Sequence, residues 1–226
     1  MELKPQLDNN KDSSNLLFYL FFSLFVPSML LLVLYLNQLS AGKALLGDTM
    51  IVRIAEGMTN PFSQFVFRLF TEMVTTEGII ALLILSIILI WWKSRDYVAI
   101  IVLALGTYLS DELNKWLKEV FARERPLIDP GIYAEGYSFP SGHAMIGLMF
   151  YGFLTYFLLT KLRNSKTKLI LSVVMSLVIF LIGFSRIILK AHYPSDVFGG
   201  FSFGFIGLVI MILLYRFGNK LVFAKK

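Results

Sequence analysis

Lys118 with Arg125-Pro126, the run Pro140-Ser141-Gly142-His143, and Ser185-Arg186 followed by His192 and Asp196 form three polar clusters in an otherwise apolar sequence. They hold three cations, a glycine turn ahead of an apolar run, and both histidines of the chain, with a carboxylate four residues after the second. Cations and free backbone amides hold phosphate oxygens, while imidazoles attack phosphorus and move protons. The chemistry that draws on this set is phosphoryl transfer.

In the first cluster, spacings of three and four put Asp111, Asn114 and Lys118 on one helix face, with Glu112, Lys115 and Glu119 on a second side where they can pair. Asp111 and Asn114 are expected to be structural partners. Lys118 then points into the bundle or its mouth, although alone it also reads as a side chain snorkelling to an interface. Arg125 precedes a proline, so the helix should end nearby and present the guanidinium, a planar fork for phosphate oxygens, on a turn. Arg123 has an equal claim on charge alone.

In the second cluster, Ser141 is the expected cap of a helix whose free N–H groups bind an anion. Gly142 lets a phosphate approach the backbone, and His143 stands one residue into the helix. In the third, Arg186 lies in an apolar run, where an unpaired guanidinium is expensive and calls for an anion. Pro194 breaks the helix after His192, so Asp196 begins the next helix and faces back across the turn. A carboxylate-to-imidazole hydrogen bond there would fix the tautomer of His192 and leave its other nitrogen free as a nucleophile.

The elements that must position these residues are membrane helices. Of the 226 residues 57% are hydrophobic, 15% aromatic and only 16% charged, and a bilayer core roughly 30 Å thick takes about 20 apolar residues per helix. The apolar runs predict six spans near residues 16–37, 76–93, 97–118, 143–160, 169–190 and 197–217. The fold class is therefore an all-α membrane protein, a six-transmembrane-helix bundle forming one domain over 1–226. The first run is longer than the core of a secretory signal and reads as a retained anchor behind a polar cytoplasmic leader, residues 1–15.

Lys93 and Arg95, then Lys161, Arg163, Lys166 and Lys168, then Arg216, Lys220, Lys225 and Lys226 mark cytoplasmic ends. Both termini are then cytoplasmic, and all three clusters fall on the extracytoplasmic face of a cell membrane. The net charge of +6 suits a face against anionic lipid, and no nucleic-acid motif is present. Residues 44–74 predict an interfacial helical segment. Asn60 caps it, Pro61 is its first helical residue, and Phe62, Phe65, Val66, Leu69, Phe70 and Met73 form an apolar stripe, with Ser63, Gln64, Arg68, Thr71 and Glu72 on other faces. Such a helix borders a lipid entrance or simply packs over the bundle.

The clusters fit the pattern Lys-x6-Arg-Pro, Pro-Ser-Gly-His and Ser-Arg-x5-His-x3-Asp, and in this the chain resembles the type-2 phosphatidic acid phosphatase superfamily, which also contains the vanadium haloperoxidases. The likeness spans residues 118–196, and the span layout is similar to the bacterial membrane branch typified by phosphatidylglycerophosphate phosphatase B and undecaprenyl diphosphate phosphatases. It implies that His192 attacks phosphorus to give a phosphohistidine, Asp196 orients His192, and His143 protonates the leaving oxygen and then activates water. It selects Arg125 over Arg123 and implies a phosphate cradle of Lys118, Arg125, Ser141, Gly142 and Arg186, with no metal and no cofactor. The implied partners are the bilayer and a lipid phosphate or pyrophosphate, with undecaprenyl diphosphate, phosphatidylglycerophosphate or phosphatidic acid as candidates, and no obligatory protein partner. Two other readings share the residues: a phosphotransferase that passes the phosphate to another hydroxyl, and an anion transporter, which has no need of two histidines beside a carboxylate.

Overall fold

The computed structural model describes residues 30, 32–38, 47–126 and 136–223, all of whose regular structure is helical. The predicted leader, most of the first span and residues 127–135 lie outside the described residues. Among the described residues, 32–38 are helical and are followed in order by α1 (Asp48–Met58), α2 (Pro61–Glu72), α3 (Thr76–Ser94), α4 (Tyr97–Phe121), α5 (Gly142–Lys161), α6 (Ser165–Ile188) and α7 (Pro194–Phe223).

Their ends follow local chemistry. The Asn60 side chain accepts from Ser63 N–H, the Ser63 hydroxyl accepts from Asn60 N–H, and Pro61 occupies the first turn, so α2 opens with a capping box. Asp96 caps α4 by accepting from Ala99 N–H. Asn164 caps α6 through the N–H groups of Lys166 and Thr167, which starts that helix four residues ahead of its predicted span. Lys190 in the left-handed region and then Pro194 separate α6 from α7.

Among the described residues, four helices are long and apolar enough to cross a membrane: α3, α5, α6 and α7. The predicted span at 97–118 is part of the 25-residue α4, which falls short of that mark because its second half carries Asp111, Glu112, Lys115, Lys118 and Glu119. Outward faces are apolar, as a lipid solvent requires. Ile80, Ile84 and Ile88 of α3, Val173, Leu177 and Phe180 of α6, and Leu213, Leu214 and Phe217 of α7 are all exposed.

The core lies where α5 meets α6, α7 and α4. Phe139, Met145, Phe150, Phe153 and Ile182 are fully buried in it. α5 and α7 approach closely because Gly200 and Gly204, four residues apart, present bare backbone to α5. A Cβ at Gly200 would stand 2.5 Å from Ser141 O, and one at Gly204 2.8 Å from Met145 O. This packing sets the first turn of α5 beside the first turn of α7.

α2 leaves part of its apolar stripe exposed and buries the rest. Phe62, Phe65 and Leu69 of its stripe are exposed, and the most buried residue of the helix is Thr71, at 9% exposure. Phe67 packs edge-on against Phe184 of α6, with ring centroids 5.6 Å apart, and Phe70 packs against the core, so α2 docks through Phe67 and part of its apolar stripe.

Candidate active site

The helix order places the end of α2, the starts of α3, α5 and α7 and the ends of α4 and α6 at one end of the bundle, and Lys93, Arg95, Lys161, Arg163, Lys166 and Lys168 at the other. A cleft of about 920 Å³ opens at the first end. Lys118, Arg125, Gly142, His143, Arg186 and His192 all line it. Ser141 and Asp196 lie directly behind them, fully buried. Residues up to 78 positions apart in sequence thus meet in one place.

His192 sits in the turn between α6 and α7, where its own N–H and that of Ala191 both donate to Arg186 O, at 3.2 and 2.9 Å. Its Nε2 is 3.2 Å from Arg125 Nη1. A guanidinium can only donate, so Nε2 is the accepting, lone-pair nitrogen and Nδ1 carries the proton. Burial pushes the His192 pKa down to about 4; Asp196 opposes this and Arg186 and Arg125 add to it. The ring is neutral at neutral pH, with a lone pair beside the cleft, which is what a nucleophile needs.

The expected hydrogen bond to Asp196 is looser than the sequence suggests. Nδ1 stands 3.6 Å from Asp196 Oδ2, longer than a hydrogen bond, and becomes an ion pair only when the ring is protonated. That oxygen is already occupied: it accepts from Tyr193 N–H at 2.8 Å and from the Ser138 hydroxyl, whose Oγ is itself 3.5 Å from Nδ1. Asp196 does begin α7 and face back across the turn, as Pro194 predicts.

Arg125 is held by its turn, donating from Nε to Gly136 O and from Nη1 to Ala191 O, each at 2.8 Å. Arg186, in the last turn of α6, is 3% exposed, which leaves its charge shielded from water. Its Nη1 is 3.4 Å from Thr71 Oγ1, a long contact, and its Nε has no hydrogen-bond partner. Among the described residues no carboxylate forms an ion pair with Arg186 or Lys118.

Ser141 holds the N-cap position of α5, but its hydroxyl makes no capping bond. The helix start is instead pinned by main chain, with Ser141 N–H donating to Asp196 O at 2.9 Å. Asn114 Nδ2 donates to Pro140 O at 3.1 Å, and a Cβ at Gly142 would meet Asn114 Oδ1 at 2.8 Å, so glycine is needed there for packing as well as for access. Ser141 Oγ, His143 Nε2 and Arg186 Nε are three buried polar atoms without partners. Native structures rarely leave such atoms unmatched, and here two of the three residues, His143 and Arg186, line the cleft.

Asp111 does not serve Lys118. It pairs with Lys115 at 2.7 Å, and Glu112 joins the same cation at 2.9 Å. Four contributors had no sequence signal of their own: Thr71, whose hydroxyl is 2.8 Å from Ser185 Oγ; Ser138 against Asp196; and Asp48 and Ser195, which meet Arg123. Contacts across 114 positions, such as Thr71 to Ser185, leave no local pattern to read.

Residues 94–221 match the PAP2 superfamily. Over 110 residues the chain is 38% identical to phosphatidylglycerophosphatase B of Bacillus subtilis, a stretch covering 48% of this chain and 53% of that protein, so the match spans about half the length of this curated relative. Among solved structures, a transmembrane PAP2-type phosphatidylglycerolphosphate phosphatase from Bacillus subtilis superposes with a TM-score of 0.73 at 27% identity, covering 85% of this chain and 96% of that one. LpxE of Aquifex aeolicus shares the fold, with a TM-score of 0.59 at 23% identity over 73% of this chain and 94% of its own.

Proposed function

Because this chain belongs to the PAP2 superfamily, we propose that it is a membrane lipid phosphatase working through a phosphohistidine. His192 Nε2 attacks phosphorus while Asp196, behind Nδ1, stabilises the imidazolium that forms. His143 gives a proton to the leaving oxygen, then takes one from the water that hydrolyses the phosphohistidine and releases inorganic phosphate. Lys118, Arg125, Arg186, Ser141 and the Gly142 backbone hold the equatorial oxygens, which replaces part of the charge neutralisation that metal ions supply in kinases. The observation that carries this reading is that His143 and Arg186, each with a buried unpartnered nitrogen, line the cleft where His192 presents a neutral ring, with the unpartnered Ser141 Oγ next to Gly142 behind them. A phosphoryl group offers oxygens to all three.

For topology we propose six spans in a single domain, with α4 and the run at 16–37 completing the set, both termini cytoplasmic and the cleft on the extracytoplasmic side. The positive ends of α3, α5 and α7 support that orientation. α1 and α2 then lie at the outer interface, with Phe62, Phe65 and Leu69 in lipid. The substrate is a lipid phosphomonoester or diphosphate; the name of the Bacillus subtilis relative favours phosphatidylglycerophosphate, and undecaprenyl diphosphate and phosphatidic acid are the alternatives to compare with it. Purified protein assayed in EDTA on all three lipids should release inorganic phosphate from at least one, and His192→Ala should not. Equal release by both proteins would contradict the proposal.

A further inference from the structure

Arg123 and Asp48 stand behind the proposed triad without lining the cleft. Asp48, in the first turn of α1, is 5% exposed, which is rare for a carboxylate unless it is paired. Its Oδ2 accepts from Arg123 Nη2 and from the Ser195 hydroxyl, both at 2.7 Å, and its Oδ1 accepts from Ser195 N–H at 2.9 Å. It therefore caps the start of α7 from a distant helix, satisfying an N–H that has no partner within α7. Arg123 turns its other nitrogen, Nη1, onto Asp196 Oδ1 and onto Ser195 Oγ at 2.8 Å, and its guanidinium lies 4.2 Å over the Tyr193 ring. The fork thus joins two carboxylates, one on each side of Ser195.

Two consequences follow from this geometry. Asp196 Oδ1 is fixed by Arg123 while Oδ2 is fixed by Tyr193 N–H, so the carboxylate cannot rotate away from His192. The charges also balance in a particular way: Asp48, Arg123 and Asp196 sum to one negative charge behind the ring. With Arg123 alone beside it, the Asp196 charge would be cancelled, and the imidazolium formed at His192 would lose its counterion.

We propose that Asp48 and Arg123 are a positioning pair for the reaction, fixing Asp196 and preserving one net negative charge behind His192. This rests on the phosphohistidine reading above. Neither residue touches substrate, so the pair acts on kcat and leaves KM nearly unchanged.

The test compares Asp48→Asn, Arg123→Gln, the double variant and Arg123→Lys, in full-length protein, by steady-state kinetics on a lipid phosphate and by quenched-flow yield of acid-labile phosphoprotein. Asp48→Asn keeps the size, removes the charge and turns an amide N–H against donors of Ser195 or Arg123, so its kcat and its phosphoprotein formation rate should fall by about a hundredfold, the loss typical of a misplaced catalytic group. The double variant restores one net negative charge and should regain at least tenfold of that kcat. Arg123→Lys keeps the charge and loses the fork, and should lower kcat at constant KM; it carries the test if Asp48→Asn does not fold. A folded Asp48→Asn or Arg123→Lys with wild-type kcat would overturn the pair, as would a double variant no better than Asp48→Asn. Absence of phosphoprotein in the wild type, by contrast, would remove the parent mechanism and leave these kinetic comparisons to be judged on their own.

Discussion

The two ends of the bundle use the same kinds of side chain to opposite effect. At the end away from the cleft, Asp96 caps α4 through Ala99 N–H and its Oδ2 accepts from Lys161 Nζ at 3.1 Å and Tyr215 OH at 2.9 Å, tying α4 to α5 and α7. Its strong acceptor is matched to donors. At the cleft end, Lys118 and Arg186 converge with no paired carboxylate among the described residues, and three buried polar atoms lack partners. A protein leaves charges so placed only where something else binds them, and stability is given up there for function.

The sharpest way to separate the ends is His192→Ala, which should abolish phosphate release by a factor on the order of 10⁴ or more. Its unfolding midpoint in detergent should stay close to that of the wild type. Next in size, Arg186→Gln should lower kcat/KM by about 10²–10³, as loss of an oxyanion donor does. Because it removes a buried guanidinium with no ionic partner, its unfolding midpoint should rise; a fall would mean that Arg186 is a structural cation and that the contrast between the ends is wrong.

A third comparison concerns protonation. The His192 pKa of about 4 lies below the ordinary 6.5, so the neutral ring persists as pH falls from 7 to 5, and activity that depends on it is lost only as pH falls through about 4. With two histidines in the chain, an isotope-labelled histidine NMR titration of wild type against His192→Ala reads this directly. An ordinary value near 6.5 for His192 would contradict the burial. The smallest effect belongs to the far end: Asp96→Asn should lower stability by about 0.5–2 kcal/mol, the range for a weakened cap, and leave kcat near wild type. A large loss of kcat there would break the division between the ends.

The cleft end was legible in the sequence to the extent that its chemistry is local. Pro194 places Asp196 at the start of α7, the cluster residues 118, 125, 142, 143, 186 and 192 do reach one cleft, and the Asn60-Pro61 signal marks the start of α2. What could not be read depends on long-range packing. Thr71 reads as a polar residue beside an apolar stripe, and only the docking of α2 on α6, with Phe67 against Phe184, carries it to Ser185 and Arg186. Arg123 and Arg125 were equivalent by charge, and they part only because one faces Asp48 and Asp196 while the other faces His192. Ser141 occupies the cap position without capping, since the strap to Asp196 O holds the helix start. α4 met the length of a span, but half of it is cleft wall.

The central claim is that His192 becomes covalently phosphorylated, and trapping that intermediate tests it most directly. Protein mixed with phosphate-labelled lipid substrate, quenched in alkali and mapped by mass spectrometry should carry acid-labile label on His192 in the wild type, more of it in His143→Ala, where hydrolysis is slowed, and none in His192→Ala. Sustained phosphate release with no label on His192 in any of the three would contradict the account.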